Sequence, residues 1–246
     1  QDIVFKTLQP AIRYTKEECL DLPDVTYQVR DVPLTPQQDK YYKKLKKEMF
    51  IQAAGEEITV VNAAVMLTKL LQVSAGSVYA DNKKIIEFDV SNRMTALKDI
   101  INEASHKVVI FAPFRNSIEL IITELTKLKI TCDAINGDVS MNKRSQIFKN
   151  FQETKDPQVL VVQPQSASHG VTLHAANVVV FWSPVVSVET YIQCCARMDR
   201  AGQRNPMTVV HLQGSPVESK IYKMLQGKIE DHVKLVDLYK EELGII

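Results

Sequence analysis

The sequence predicts an α/β protein built on a parallel sheet, and three observations carry that prediction. Short runs rich in β-branched residues recur from residue 107 onward: Lys107–Phe111 (KVVIF), 130–135 (ITCDAI), Val159–Val162 (VLVV), 178–182 (VVVFW) and 208–212 (TVVHL). Most are apolar throughout rather than alternating, as expected of strands covered on both faces. Between them lie amphipathic segments of helical period, joined by short loops. Such alternation builds right-handed βαβ units and a doubly wound sheet. Functional residues are then expected on loops at the carboxyl ends of the strands.

The first 90 residues read differently. Leu22 and Pro23, then Pro33 and Pro36, punctuate an extended stretch. A helix is predicted from about residue 36 to 52. Lys40, Lys43, Lys44 and Lys47 form one face of it, and Tyr41, Tyr42, Leu45 and Met49 the other. The lysine face is either a patch for a nucleic-acid backbone or a solvated surface. A second helix is expected over 60–73, a loop or small hairpin over 76–90, and a helix over 91–104 leading into the sheet. Residues 1–90 therefore read as a helical insertion or linker, 91–214 as the α/β domain, and 215–246 as a closing helix. Within the domain, helices are predicted over 116–128 (Ile118, Ile121, Ile122, Leu125 and Leu128 inward), 141–151 (Ile147, Phe148 and Phe151 inward) and 187–198. A last helix runs from 217 beyond 239.

Composition narrows the class. The 246 residues are 45% apolar and 24% charged, with a net charge of +1. These values exclude a disordered or collagen-like chain. No apolar run approaches the roughly 18 residues of a membrane helix. A nucleic-acid footprint, if present, must be local. Cys19, Cys132, Cys194 and Cys195 form no C-x-x-C pair, which points to an intracellular, reducing compartment. The histidines show no metal-ligand spacing, so no structural metal is expected. Gln1 in place of Met suggests a piece of a longer chain.

A parallel α/β domain suggests nucleotides, yet G-x-x-x-x-G-K-S/T, G-x-G-x-x-G and G-x-S-x-G are absent. One distinctive segment remains, residues 189–204 (ETYIQCCARMDRAGQR). At about 100° per residue with Glu189 at zero, Gln193 falls near about 40°, Arg197 about 80° and Arg200 about 20°. Tyr191, Cys195 and Met198 take the opposite face, and Gly202 is expected to end the helix. Two arginines one turn apart suit a phosphate clamp. An ordinary solvated helix face has the same periodicity.

Gln193-x-x-x-Arg197-x-x-Arg200-x-Gly202-Gln203 resembles motif VI of the Snf-type ATPases, the chromatin-remodeller branch of superfamily-two helicases. The resemblance extends in order along the chain. Residues 107–114 resemble motif IV. The segment 135–151, with Gly137, Arg144 and Phe151, is similar to the family's G-x(6)-R-x(6)-F. Residues 158–180 resemble motif V, with Ser166–Gly170 (SASHG) in place of Ala-Gly-Gly-Leu-Gly and Thr172 in place of Asn. Leu22-Pro23 and Leu34-Thr35-Pro36-x-Gln38-x-x-x-Tyr42 look like the segment entering the second lobe. Ser215, Glu218 and Ile221 match its closing Ser/Thr-x-x-Glu-x-x-Ile helix.

The resemblance implies the second, C-terminal RecA-like lobe of an ATP-driven double-stranded DNA translocase. It implies a partner N-terminal RecA-like lobe that carries the phosphate loop and the Mg²⁺ ligands, with ATP between the lobes. Arg200, assisted by Arg197, would be the arginine finger; Gln193 and Gln203 would bind the nucleotide beside them. DNA-backbone contacts would come from Phe114, Arg115, Asn116, Ser117, Gly137, Arg144, Ser166, Ser168, His169 and Gly170, and the closing helix would brace the lobes. A monomer, inactive without its other lobe, is expected. An RNA helicase lobe, or a RecA-like interaction module that lost the ATP cycle, are the alternatives. The glycine-poor motif V favours the second of these.

Overall fold

The computed structural model describes residues 19–53, 55–59, 62–168 and 171–227. Its centre is a sheet of six strands, all parallel: β1 (Val25–Asp31), β6 (Lys107–Phe111), β7 (Cys132–Ile135), β8 (Val159–Val162), β9 (Ala176–Phe181) and β10 (Met207–Gln213), in the order β1-β10-β9-β6-β8-β7. Two hairpins stand apart from it: β2 (Phe50–Ala53) with β3 (Glu56–Thr59), and β4 (Ser77–Tyr79) with β5 (Ile85–Glu87). The described α-helices are α1 (Pro36–Glu48), α2 (Ala63–Ala75), α3 (Ser91–Glu103), α4 (Arg115–Lys127), α5 (Met141–Glu153), α6 (Val188–Cys195) and α7 (Pro216–Gln226). No described helix is long and apolar enough to cross a membrane.

The continuous apolar runs have the expected cause. Alternate residues of each strand enter two cores. Val109, Phe111, Leu160, Val162, Val179, Phe181 and Val209 meet α1, α2, α5, α6 and α7 on one face. Val108, Ile110, Val159, Val161, Val178, Val180 and Val210 meet α3 and α4 on the other. A RecA-like α/β sheet with helices on both faces is therefore the fold, as expected from the sequence.

The N-terminal segment does more than link. Its extended stretch is β1, hydrogen-bonded along its length to β10. The α1 helix opens with a capping box between Thr35 and Gln38 and with Pro36 in its first turn. It closes earlier than expected, at a left-handed Met49 (φ 54°), and the chain then turns into the β2–β3 hairpin. Met49 is consequently exposed rather than inward. The 76–90 segment is a hairpin, entered through Gly76 at φ 107°. An added Cβ at Gly76 would also meet Val90 Cγ1 at 2.4 Å.

A buried ion pair locks the helices to one another. Arg93 of α3 makes two parallel bonds to Glu218 of α7, at 2.9 and 2.8 Å, and also donates to the Trp182 carbonyl. Glu218 Oε2 further accepts from the Gly214 and Ser215 amides and the Ser215 hydroxyl. Here Ser215 and Glu218 of the closing-helix motif have a structural role: they cap α7 and neutralise Arg93. The expected extension of this helix beyond 227 lies outside the described residues.

Candidate functional site

The arginine segment is not the helix that its periodicity suggests. The α6 helix, capped by Ser187, ends at Cys195. Residues 196–203 then form successive tight turns, with Arg197 N–H to Cys194 O, Arg200 N–H to Met198 O and Gln203 N–H to Arg200 O. Two tertiary interactions stop the helix. The Arg197 carbonyl accepts the Leu173 amide at 2.8 Å, and Met198 is wholly buried, drawing the chain inward. Gly202 (φ 101°) serves this later turn, not a helix end.

The turn still brings the two arginines together. The pKa of Arg197 is lowered, first by burial and next by the like charge of Arg200. Its buried Nε has no hydrogen-bond partner, and among the described residues it makes no ion pair. Gln193 stays one turn back on α6, donating to Glu189 at 3.0 Å. Gln203 is differently placed. It is 5% exposed, donates to the Ala176 carbonyl, and accepts from the Arg204 and Asn205 amides. Its amide holds the turn.

The position of this turn departs from the expectation for doubly wound sheets. Leu173 and Ala176, its bonding partners, lie at the start of β9, so the arginines sit at the amino edge of the sheet. The other candidates follow the carboxyl ends of β6, β7 and β8. The six residues of β9, about 20 Å at about 3.3 Å each, separate the two groups.

At the carboxyl edge the candidates divide. Arg115 is exposed and pairs with Asp138 at 2.8 Å. Gly137 is exposed, its amide directed to Gln163 Oε1 at 3.3 Å, and Arg115 Nη2 lies 3.3 Å from where its Cβ would be. Arg144 turns inward, donating to the Asn136 and Val139 carbonyls, and so braces this loop. Phe114 is half-buried at the N-cap of α4. Asn116 and Ser117 are corrections: both are buried, Asn116 accepting from the Tyr79 hydroxyl and Ser117 facing the Ala75 carbonyl. Both pack against the N-terminal segment. Ser166 is buried in a short 3-10 turn, Pro164–Ser168, that includes Ser168. His169 and Gly170 lie outside the described residues. On α1, Lys40, Lys43, Lys44 and Lys47 are exposed as the periodicity requires. Lys43 and Lys44 are partly offset by Asp39 and Glu48, and Lys40 lies over the Tyr41 ring.

One group escaped the motifs. Tyr27, on edge strand β1, is 52% exposed and stacks toward His211 at 6.4 Å. Its distance in sequence from residue 200 hid it; only the β1–β10 pairing brings the two near.

Comparison with known proteins adds the following. Residues 92–202 match the model of the helicase conserved C-terminal domain. The bifunctional helicase and thymine dioxygenase JBP2 of Leishmania infantum is 34% identical over 140 residues, which is 54% of this chain and 12% of that protein. The chain thus spans about an eighth of the length of the curated relatives it matches first. The crystal structure of the C-terminal part of the Fun30 ATPase domain superposes with a TM-score of 0.71 at 16% identity, covering 91% of this chain and 97% of that one. The Sulfolobus solfataricus SWI2/SNF2 ATPase core in complex with double-stranded DNA gives 0.62 at 22% identity, covering 87% and 46%.

Proposed function

We propose that this chain, whose residues 92–202 match the helicase conserved C-terminal domain, is the C-terminal RecA-like lobe of a superfamily-two helicase and the second motor lobe of an ATP-driven double-stranded DNA translocase. Its arginine turn would face ATP held by an N-terminal lobe, and its carboxyl-edge loops would grip the DNA backbone. The observation that carries the reading is the state of Arg197. Two like charges are held close on a turn fixed by backbone bonds, and the buried Nε of one has no partner. Two like charges held close favour an anion beside them, and guanidinium matches phosphate with bidentate geometry.

The residues fit the triphosphate. Arg197 and Arg200 would hold its terminal phosphates, and the Mg²⁺ that accompanies ATP is expected on the N-terminal lobe. Phosphoryl transfer is catalysed mainly by positioning and charge stabilisation, and an arginine finger contributes about 10³–10⁵ in rate. Arg200 is the finger in this reading; Arg197, more constrained, positions the phosphates beside it. At the other edge, Arg115 and the exposed backbone at Gly137 suit phosphate contact without base readout. The Sulfolobus core was solved with double-stranded DNA, which favours duplex DNA over RNA as the track.

The test uses the protein joined to its N-terminal lobe. Arg200→Ala should lower DNA-stimulated ATP turnover by about 10³-fold or more while circular dichroism stays unchanged. Normal turnover in that variant refutes the assignment. The 246-residue chain by itself should hydrolyse no ATP.

A further inference from the structure

The amino edge carries one more group, which the phosphate contacts leave unused. Tyr27 is the third residue of β1 and pairs in register with Val209. Side chains alternate along a strand, so Tyr27 shares a face with Val25, which packs on the core that includes α6. Its neighbour His211 is rigidly held: Tyr191 of α6 bonds its Nε2 at 2.9 Å, and Tyr222 stacks on it at 4.4 Å. Tyr27 thus has a fixed aromatic backing, at 6.4 Å and 25° from the His211 ring, while about half of it stays open.

Two observations set the ring beside the arginine turn. The turn leads into β10, whose first amide, at Met207, bonds the Asp24 carbonyl just before β1. The phenol is also pushed above the usual tyrosine range, by burial first and then by Cys195 and Asp199, which bracket Arg197 in the chain. Tyr27 therefore lies at the same edge of the sheet as the turn that carries Arg197 and Arg200.

We propose that Tyr27 is the stacking platform for the base of the nucleotide whose phosphates face Arg197 and Arg200. The inference rests on the phosphate reading above and adds the base to it. A flat, half-exposed ring with a rigid backing offers a π-face at little ordering cost. Every base has a π-face, so the ring suits the base of the ATP whose phosphates the arginines would hold.

The experiment is steady-state turnover by the two-lobed protein on duplex DNA, with inorganic tripolyphosphate as a competitor that has no base. Tyr27→Ala should raise KM for ATP about tenfold, within the about 5- to 160-fold typical of base stacking, and leave kcat within about twofold. Inhibition by tripolyphosphate should not change. Tyr27→Leu, which keeps apolar cover over His211, should behave like Tyr27→Ala, and Tyr27→Phe like the parent. An unchanged KM in Tyr27→Ala and Tyr27→Leu, or a parallel loss of ATP and tripolyphosphate binding, overturns the proposal. Arg200→Ala keeps the two readings apart. Full turnover in Arg200→Ala defeats the phosphate reading, whereas lost turnover there with a normal KM in Tyr27→Ala defeats the base platform alone.

Discussion

Glu218 is where the fold can be challenged most sharply. Its side chain is fully buried and meets a guanidinium that is 3% exposed. Removing one partner of a buried ion pair typically costs about 3–5 kcal/mol, because the other charge is left without compensation. Glu218→Ala would also leave the Gly214 and Ser215 amides without their side-chain acceptor, at about 1–3 kcal/mol for each that water cannot reach. The expected loss is therefore about 4–6 kcal/mol, a large part of the about 5–15 kcal/mol that holds a domain folded. Glu218→Gln keeps the shape and one acceptor, and should lose about 3 kcal/mol. Urea unfolding followed by circular dichroism measures both. Arg93→Met on the Glu218→Gln background removes the orphaned charge, so the double variant should be more stable than the summed single losses by about 2 kcal/mol. A loss under about 1 kcal/mol in Glu218→Ala, or strictly additive single changes, would refute the ion-pair account.

Two further outcomes follow from buried groups. Burial lowers the His211 pKa to about 4, against about 6.5 in an unfolded chain. The folded state thus disfavours the proton, and the His211 contribution to stability is complete above about pH 6.5 and falls by about 1.4 kcal/mol per unit as pH drops toward 4. Unfolding at pH 7 and pH 5 should show this slope in the parent and a shallower one in His211→Phe; equal slopes reject it. A Cβ at Gly214 would lie 2.1 Å from the Val32 carbonyl oxygen, a backbone atom that cannot swing aside. Gly214→Ala should therefore cost about 3 kcal/mol, the upper end of what overpacking typically costs, and an unchanged thermal midpoint would exclude that overlap.

What was legible in the sequence had local causes. The runs at 107–111 and 159–162 announce strands because both sheet faces are covered. Thr35, Pro36 and Gln38 announce the start of α1 because capping is a four-residue interaction. What stayed hidden had remote causes. The end of α1 at Met49 uses a left-handed residue that is not glycine, so no sequence signal marks it. The β1 strand joins the sheet by pairing with a strand some 180 residues later. Asn116 and Ser117 have the chemistry of phosphate ligands, but packing against residues 75–79 buries them. The arginines were found by motif and misplaced by periodicity, since the interaction that breaks the helix comes from Leu173.

That same interaction bears on how two surfaces about 20 Å apart could act together. The connection from β8 to β9 starts at the carboxyl edge of the sheet and ends at its amino edge, and its described residues include no α-helix. At one end, Gln163 holds the Gly137 amide beside Arg115, and Ser166 is buried in the short turn that follows. At the other, Leu173 holds the Arg197 carbonyl. On the proposed reading, Gln163 at one end of this connection bonds to the DNA-gripping loops, and Leu173 at the other bonds to the phosphate-binding turn. A shift of the arginine turn on phosphate release would pull on Leu173 without first disturbing the strands, whose residues are locked in two cores.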